Sequence, residues 1–311
     1  MRILLLTLCL SVISGCTTYS AVDNVPITDT MGKKAYSFEN SVKMLNDGEY
    51  TIVVAMSGGG TRAAALSYGV LKALHEQTHP LTESRNLLDE VDVMSAVSGG
   101  SFTAAYYGLY GEQLFTDFED DFLYYDVGGD LTSHFFNPLL WFSSQGLTEK
   151  AVDYYQDRLF EGATFADLQR EGSPLVILNA SDLGNGVRFS FLQEYFDLLC
   201  SDLLDYPVAN AVTASSAVPV LFNPVVLENY GTCAIDNHFL MRDLATLPPM
   251  TRATLRGWRV TVTKRNASTF TWWTVGSPTI WVCCRCMTLL IWAMATWSFW
   301  SKPKSRFYPT M

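Results

Sequence analysis

Apolar residues along this chain gather into short runs that stop at glycine-rich polar stretches, and each such junction predicts a strand feeding a loop. Thr51 to Met56 reads TIVVAM, nearly continuous and rich in β-branched residues, which predicts a strand covered on both faces. It ends in Ser57, Gly58, Gly59, Gly60, Thr61 and Arg62. Beyond Thr61, Leu66, Val70 and Leu74 recur every fourth residue, predicting a helix with one apolar stripe that starts as the glycines end. The pattern repeats further on. Val91, Val93, Ala96 and Val97 predict a second buried strand, which ends at Ser98, Gly99, Gly100 and Ser101 before a helical stretch from Phe102 to Leu109. At the chain start, Ile3 to Val12 is an apolar run of about ten residues behind Met1 and Arg2, too short to span a bilayer. Residues 17–34 are polar and contain proline, as a tether would.

A strand, a glycine loop and a helix N-terminus together hold negative charge. Backbone without side chains lets several N–H groups converge, and the helix dipole adds to them. No GK[ST] follows and GxGxxG spacing is not met, so neither nucleotide-binding form applies. The second junction reads as a nucleophile elbow: a serine on a sharp strand-to-helix turn needs small residues two before and two after it, here Ala96 and Gly100. Ser98 then supplies a nucleophile, and Gly58, Gly59, Gly60 and Thr61 supply N–H donors for a tetrahedral oxyanion, with Arg62 supporting the loop.

These segments resemble the patatin-like phospholipases. That family carries a DGGGxRG loop, a GxSxG elbow, a strand of the type LVILNASDLGNG (here Leu175 to Gly186) and an ASxAxPxxFxP segment, matched from Ala214 to Pro224. This chain departs at Ser57, Ala63 and Ala96, and none of these removes an atom that the chemistry uses. The resemblance implies a single α/β domain with a mainly parallel central sheet flanked by helices. It also implies hydrolysis of lipid acyl esters by a Ser–Asp dyad, with no catalytic histidine, metal or cofactor.

The base is missing. The family's aspartate lies in a DGG motif downstream, and the chain has no DGG. Asp236 is the nearest acid after Pro219, but it lacks the glycines and arrives early. An α/β-hydrolase triad is the other route, with Ser98, then Asp182 or Asp202, then His238. His75, His79 and His134 stand outside that order and read as ordinary surface or helix residues.

Composition changes the picture at both ends. The net charge of −10 with pI near 4.8 excludes a nucleic-acid footprint. All 31 Asp and Glu lie at or before Asp243, giving −19 for residues 1–243 and +9 for the last 68, which also hold seven of eight Trp. Read one base early, the codons of Trp272, Trp273 and Thr274 force Val then Asp, and those through Trp281 allow VDGGxSDNL. The tail therefore reads as an out-of-frame translation, slipping between about Asp243 and Trp258. A membrane anchor over Thr279 to Trp300 competes with it, though Arg285 interrupts that run.

Ile13 to Cys16 resembles the bacterial lipoprotein processing box, which makes Cys16 a lipid anchor. A non-acidic Thr17 then favours the outer membrane, facing the periplasm. The oxidising compartment leaves Cys200 and Cys233 free to pair, a question two cysteines alone leave open. The expected organisation is a signal peptide over 1–15, a tether over 16–45, a truncated catalytic domain over 46–245 and an aberrant tail over 246–311. The expected partner is a lipid ester. The alternative function is a catalytically dead lipoprotein that binds lipid or a partner through the same pocket.

Overall fold

The computed structural model describes residues 23–27, 35–42, 52–79, 82–125, 147–182, 186–217, 222, 224–230, 233, 252, 255–256 and 271–274. Cys16, His134, Asp236, His238 and the stretch from 275 onward lie outside the described residues. Contacts divide the chain into Met1–Gly276 and Ser277–Met311, and every described residue belongs to the first unit.

The two predicted strand–loop–helix units form in order. Strand β1 (Ile52–Met56) leads to helix α1 (Thr61–Glu76), and β2 (Val91–Val97) leads to α2 (Gly99–Tyr110). They are followed by α3 (Leu147–Tyr155), β3 (Leu175–Asp182), β4 (Arg188–Ser190), α4 (Val208–Ser216), β5 (Val225–Leu227) and β6 (Thr271–Thr274). β1 pairs parallel with β2, Met56 opposite Ala96, and β2 pairs parallel with β3, Val97 opposite Asn179. Those three strands are the α/β framework expected from the sequence. β4 folds back antiparallel on β3, and β6 is antiparallel to both β3 and β5.

β2 and β3 are buried almost throughout, as their apolar runs require. β1 departs from expectation. It lies at the edge of the described sheet, with Val53 60% exposed. Most of the stripe expected on α1 also faces the other way: Leu66 is 66% and Val70 44% exposed and only Leu74 packs partly against the core, whereas Ala63, Ala64, Ser67, Tyr68 and Leu71 are buried. The reason is close helix packing. α1 lies against α2 near enough for the Thr103 hydroxyl to donate to the Ala64 carbonyl at 3.0 Å, a distance that small side chains permit and leucines would block.

An aromatic cluster closes the far side of α2, with Phe102 stacked on Phe122 at 4.5 Å and edge-on to Tyr155 at 4.8 Å. Tyr36 staples the N-terminal segment to the sheet: its hydroxyl donates to the Val176 carbonyl and accepts from the Val176 N–H. Burial holds that phenol far above its ordinary pKa, so it stays neutral. Cys200 and Cys233 form a disulfide across 33 residues, a loop whose closure contributes roughly 3–4 kcal/mol. Among the described residues no helix is long and apolar enough to cross a membrane.

Candidate active site

Ser98 sits at the junction of β2 and α2 with φ 55° and ψ −124°, a positive φ that a non-glycine residue rarely adopts. The turn is held from behind. The Ser98 N–H donates to Ser215 Oγ at 2.9 Å, and Ser215 Oγ donates to the Asn179 carbonyl at 2.6 Å. That uses the only hydroxyl proton of Ser215, so the 2.8 Å contact between Ser101 and Ser215 must be donated by Ser101. Asn179 is itself fixed, donating to Ser95 Oγ and the Ala96 carbonyl and accepting from Ser190 Oγ. One residue of α4 and one of β3 thus lock the strained turn.

The glycine loop lies directly against it. A Cβ built on Gly58 would sit 3.1 Å from the Ser98 Cβ and 3.7 Å from its Oγ. Built on Gly99, it would fall 2.1 Å from the Gly60 carbonyl oxygen, and on Gly100, 2.7 Å from the Met56 Cβ. Glycine is needed at 99 and 100 for this close approach of two backbones. Gly60 (φ 64°) caps α1, and its carbonyl accepts from Ala63 and Ala64. Gly58, Gly59, Gly60 and Thr61 are all exposed, and among the described residues their N–H groups enter no backbone hydrogen bond. Ala96 is buried beneath the elbow. Arg62 is exposed in the first turn of α1 and forms no hydrogen bond or ion pair among the described residues.

β6 lies close to the elbow, and β3 explains how. Successive residues of a strand direct their N–H and C=O groups to alternate edges. The Asp182 N–H donates to the Val187 carbonyl and its carbonyl accepts from Gly186, so the even positions of β3 serve the edge that carries β4. β6 must therefore pair through Ser181, which stands opposite Thr274, on the edge where Val97 faces Asn179. Ser181 is two residues beyond Asn179, about 7 Å along the strand. Thr274 thus follows the end of β2 on the same edge, just past Ser98.

The remaining candidates are dispersed. Asp182 is buried at the end of β3, opposite Trp273. Asp202 Oδ1 accepts from the Leu204 N–H in a local turn. His75 stacks on Phe115 in α1, while His79 is buried beside Glu90, a structural place rather than the surface or helix position expected of it. Among the described residues no group of His, Cys, Asp and Glu is gathered to hold a metal ion. The segment from Ala214 to Pro224 includes Ser215, to which the sequence alone assigns no task. Its place in the helix VANAVTASS, buried from Val208 to Ser215, is the signal that this hydroxyl has a partner.

Residues 54–239, more than half of the chain, match the family model Patatin, described as patatin-like phospholipase. No curated protein matches the chain.

Proposed function

Because the chain belongs to the patatin-like phospholipase family, we propose that it cleaves lipid acyl esters with Ser98 as nucleophile and the loop Gly58 to Thr61 as oxyanion hole. The observation that carries this reading is the close approach of a strained serine at a helix N-terminus to a loop of exposed glycines whose N–H groups, among the described residues, enter no backbone hydrogen bond. Ser98 Oγ attacks the ester carbonyl carbon and its proton passes to a carboxylate. The carbonyl oxygen becomes an oxyanion among the loop N–H groups, and the departing alcohol takes the proton back. Water, deprotonated by the same carboxylate, then hydrolyses the acyl-enzyme. Metal and cofactor have no part in this sequence.

The carboxylate is the aspartate that the shifted frame places at the junction of Trp273 and Thr274. Trp273 and Thr274 lie on β6, just past the end of β2, which supports that assignment. The test is a fluorophosphonate probe applied to the frame-restored chain. The label is expected on Ser98 and absent after Ser98→Ala; a label that persists would remove the assignment.

Anchoring belongs to the same reading: acyl groups on Cys16 hold the domain at the outer membrane, facing the periplasm. The disulfide favours such an oxidising compartment. Multiple acyl chains give stable attachment where one is marginal. On fractionation, Cys16→Ser should move the protein out of the membrane pellet. Retention there would instead favour the apolar run from Thr279 to Trp300.

A further inference from the structure

We propose that Ser215 is a positioning residue for the reaction: its hydroxyl fixes the backbone of Ser98 against β3, the strand that β6 also pairs with, and so sets where the nucleophile stands relative to its base. The part that concerns turnover rests on the function proposed above; the brace itself does not.

Ser215 has nothing left with which to act on a substrate. A serine hydroxyl carries one proton and two lone pairs. The proton goes to the Asn179 carbonyl, and the lone pairs take the Ser98 N–H and the Ser101 hydroxyl. The side chain is 0% exposed, so neither an ester nor a proton in transit can reach it. What it can do is hold. Ala211, one turn earlier on the same face of α4, is small and buried, which lets the helix come within reach of the elbow.

The place it holds is the one that needs holding. A residue with a Cβ keeps an unfavourable positive φ only where its surroundings over-determine it. The Ser98 carbonyl accepts from the Ser101 N–H inside α2, and among the described residues only Ser215 reaches the Ser98 backbone from outside β2 and α2. That N–H is thereby spent, so the nucleophile's own amide takes no part in the oxyanion hole. The Ser101 hydroxyl adds a second grip in the first turn of α2.

The far end of the brace couples nucleophile to base. Ser215 donates to Asn179 of β3, and two residues further along that strand Ser181 stands opposite Thr274 of β6. α4 itself packs against α2, β3 and β6. The turn that presents Ser98 and the strand assigned the carboxylate are therefore registered on the same short piece of β3. Without the hydroxyl, the Ser98 N–H and the Asn179 carbonyl lose their common partner, and the turn relaxes away from its positive φ.

Two measurements test this. In the frame-restored chain, Ser215→Ala should lower kcat for a short-chain acyl ester by about 10²-fold with KM within about twofold, since a displacement of about 1 Å costs that much in rate. Ser215→Thr keeps the hydroxyl and should recover most of the rate. Ser216→Ala is the control: that hydroxyl returns to the Val212 carbonyl of its own helix, so its loss should leave kcat unchanged. If Ser215→Ala fails to fold, Ser215→Cys, close in shape but a weaker acceptor, should show the same split between kcat and KM. A folded Ser215→Ala with the parent's kcat, or a folded threonine variant no faster than alanine, would overturn the positioning role. Separately, hydrogen exchange followed by NMR on the full chain as written should find the Ser98 amide protected, and exchanging at least about tenfold faster in Ser215→Ala or Ser215→Cys. Equal exchange would overturn the brace whatever the activity. A restored parent that cleaves no ester would overturn the proposed function and the positioning role with it, while amide exchange still decided the brace.

Discussion

Restoring the reading frame upstream of Trp258 should raise turnover of a short-chain acyl ester by about 10²–10⁴-fold over the chain as written, the contribution of a positioned general base. The hydroxyl of Ser98 is a poor nucleophile until a neighbouring group takes its proton. As written, the candidate acids are badly placed: Asp202 caps its own turn, and Asp182 lies buried at the end of β3. The strand just beyond the elbow on the same edge reads Thr271 to Thr274, without a carboxylate. Shifting the frame puts an aspartate into that strand. The decisive comparison uses three proteins: the chain as written, the restored chain, and the restored chain with asparagine in place of the new aspartate. Only the second should be fast. Equal rates for all three would hand the base to Asp182 or Asp236. Codons at Thr274 and Val275 that do not end in G would remove the paired glycines and the frame slip with them. A restored chain that folds but stays inert would leave the alternative of a dead lipid-binding protein.

The proposed slip would account for the exposed flank of the sheet. β1 carries the apolar pattern of a strand covered on both faces, yet it lies at the edge with Val53 exposed, and Leu66 and Val70 stand out from α1 beside it. Were the tail translated in the wrong frame, as proposed, it would not supply the element that such a pattern expects.

What was legible in the sequence followed from strong local constraints. Two β-branched runs, each ending in glycines, can hardly be anything but strands entering tight turns, and IVVAM and VDVMSAV both formed where expected. The elbow was legible because steric crowding leaves few residue types at its flanks. The buried face of α1 was not. Fourfold spacing of Leu66, Val70 and Leu74 marks a stripe but does not say that the opposite face, small at Ala63, Ala64 and Ser67, is chosen by the closeness of α2. Tertiary distance, marked by the Thr103 bond to the Ala64 carbonyl, outweighed side-chain hydrophobicity there. Which partner Ser215 takes was illegible for a related reason. Its hydroxyl matters because α4 brings it 2.9 Å from a backbone N–H that is 117 residues away.

Ser98→Gly should abolish turnover, a loss of about 10⁴–10⁶-fold, while making the protein more stable. The serine holds φ 55° and ψ −124°, a conformation that costs a side-chain-bearing residue about 1–3 kcal/mol. Glycine adopts it freely but adds entropy to the unfolded chain, a cost of about 0.4–1 kcal/mol. The difference favours the variant by roughly 1 kcal/mol. The bond from the residue 98 N–H to Ser215 survives, since it is made by the backbone. Ser98→Ala is the control that separates strain from chemistry. It loses the same activity but keeps the Cβ and therefore the strain, so its stability should stay near that of the parent. Urea denaturation of the three restored chains reads the difference directly. If glycine and alanine shift the midpoint alike, the turn is unstrained, and the Ser215, Asn179 and Ser101 network maintains a geometry that the serine would hold without help. If glycine alone is stabilised, the elbow stores energy to present its hydroxyl, which is the behaviour expected of a nucleophile and not of an ordinary helix cap.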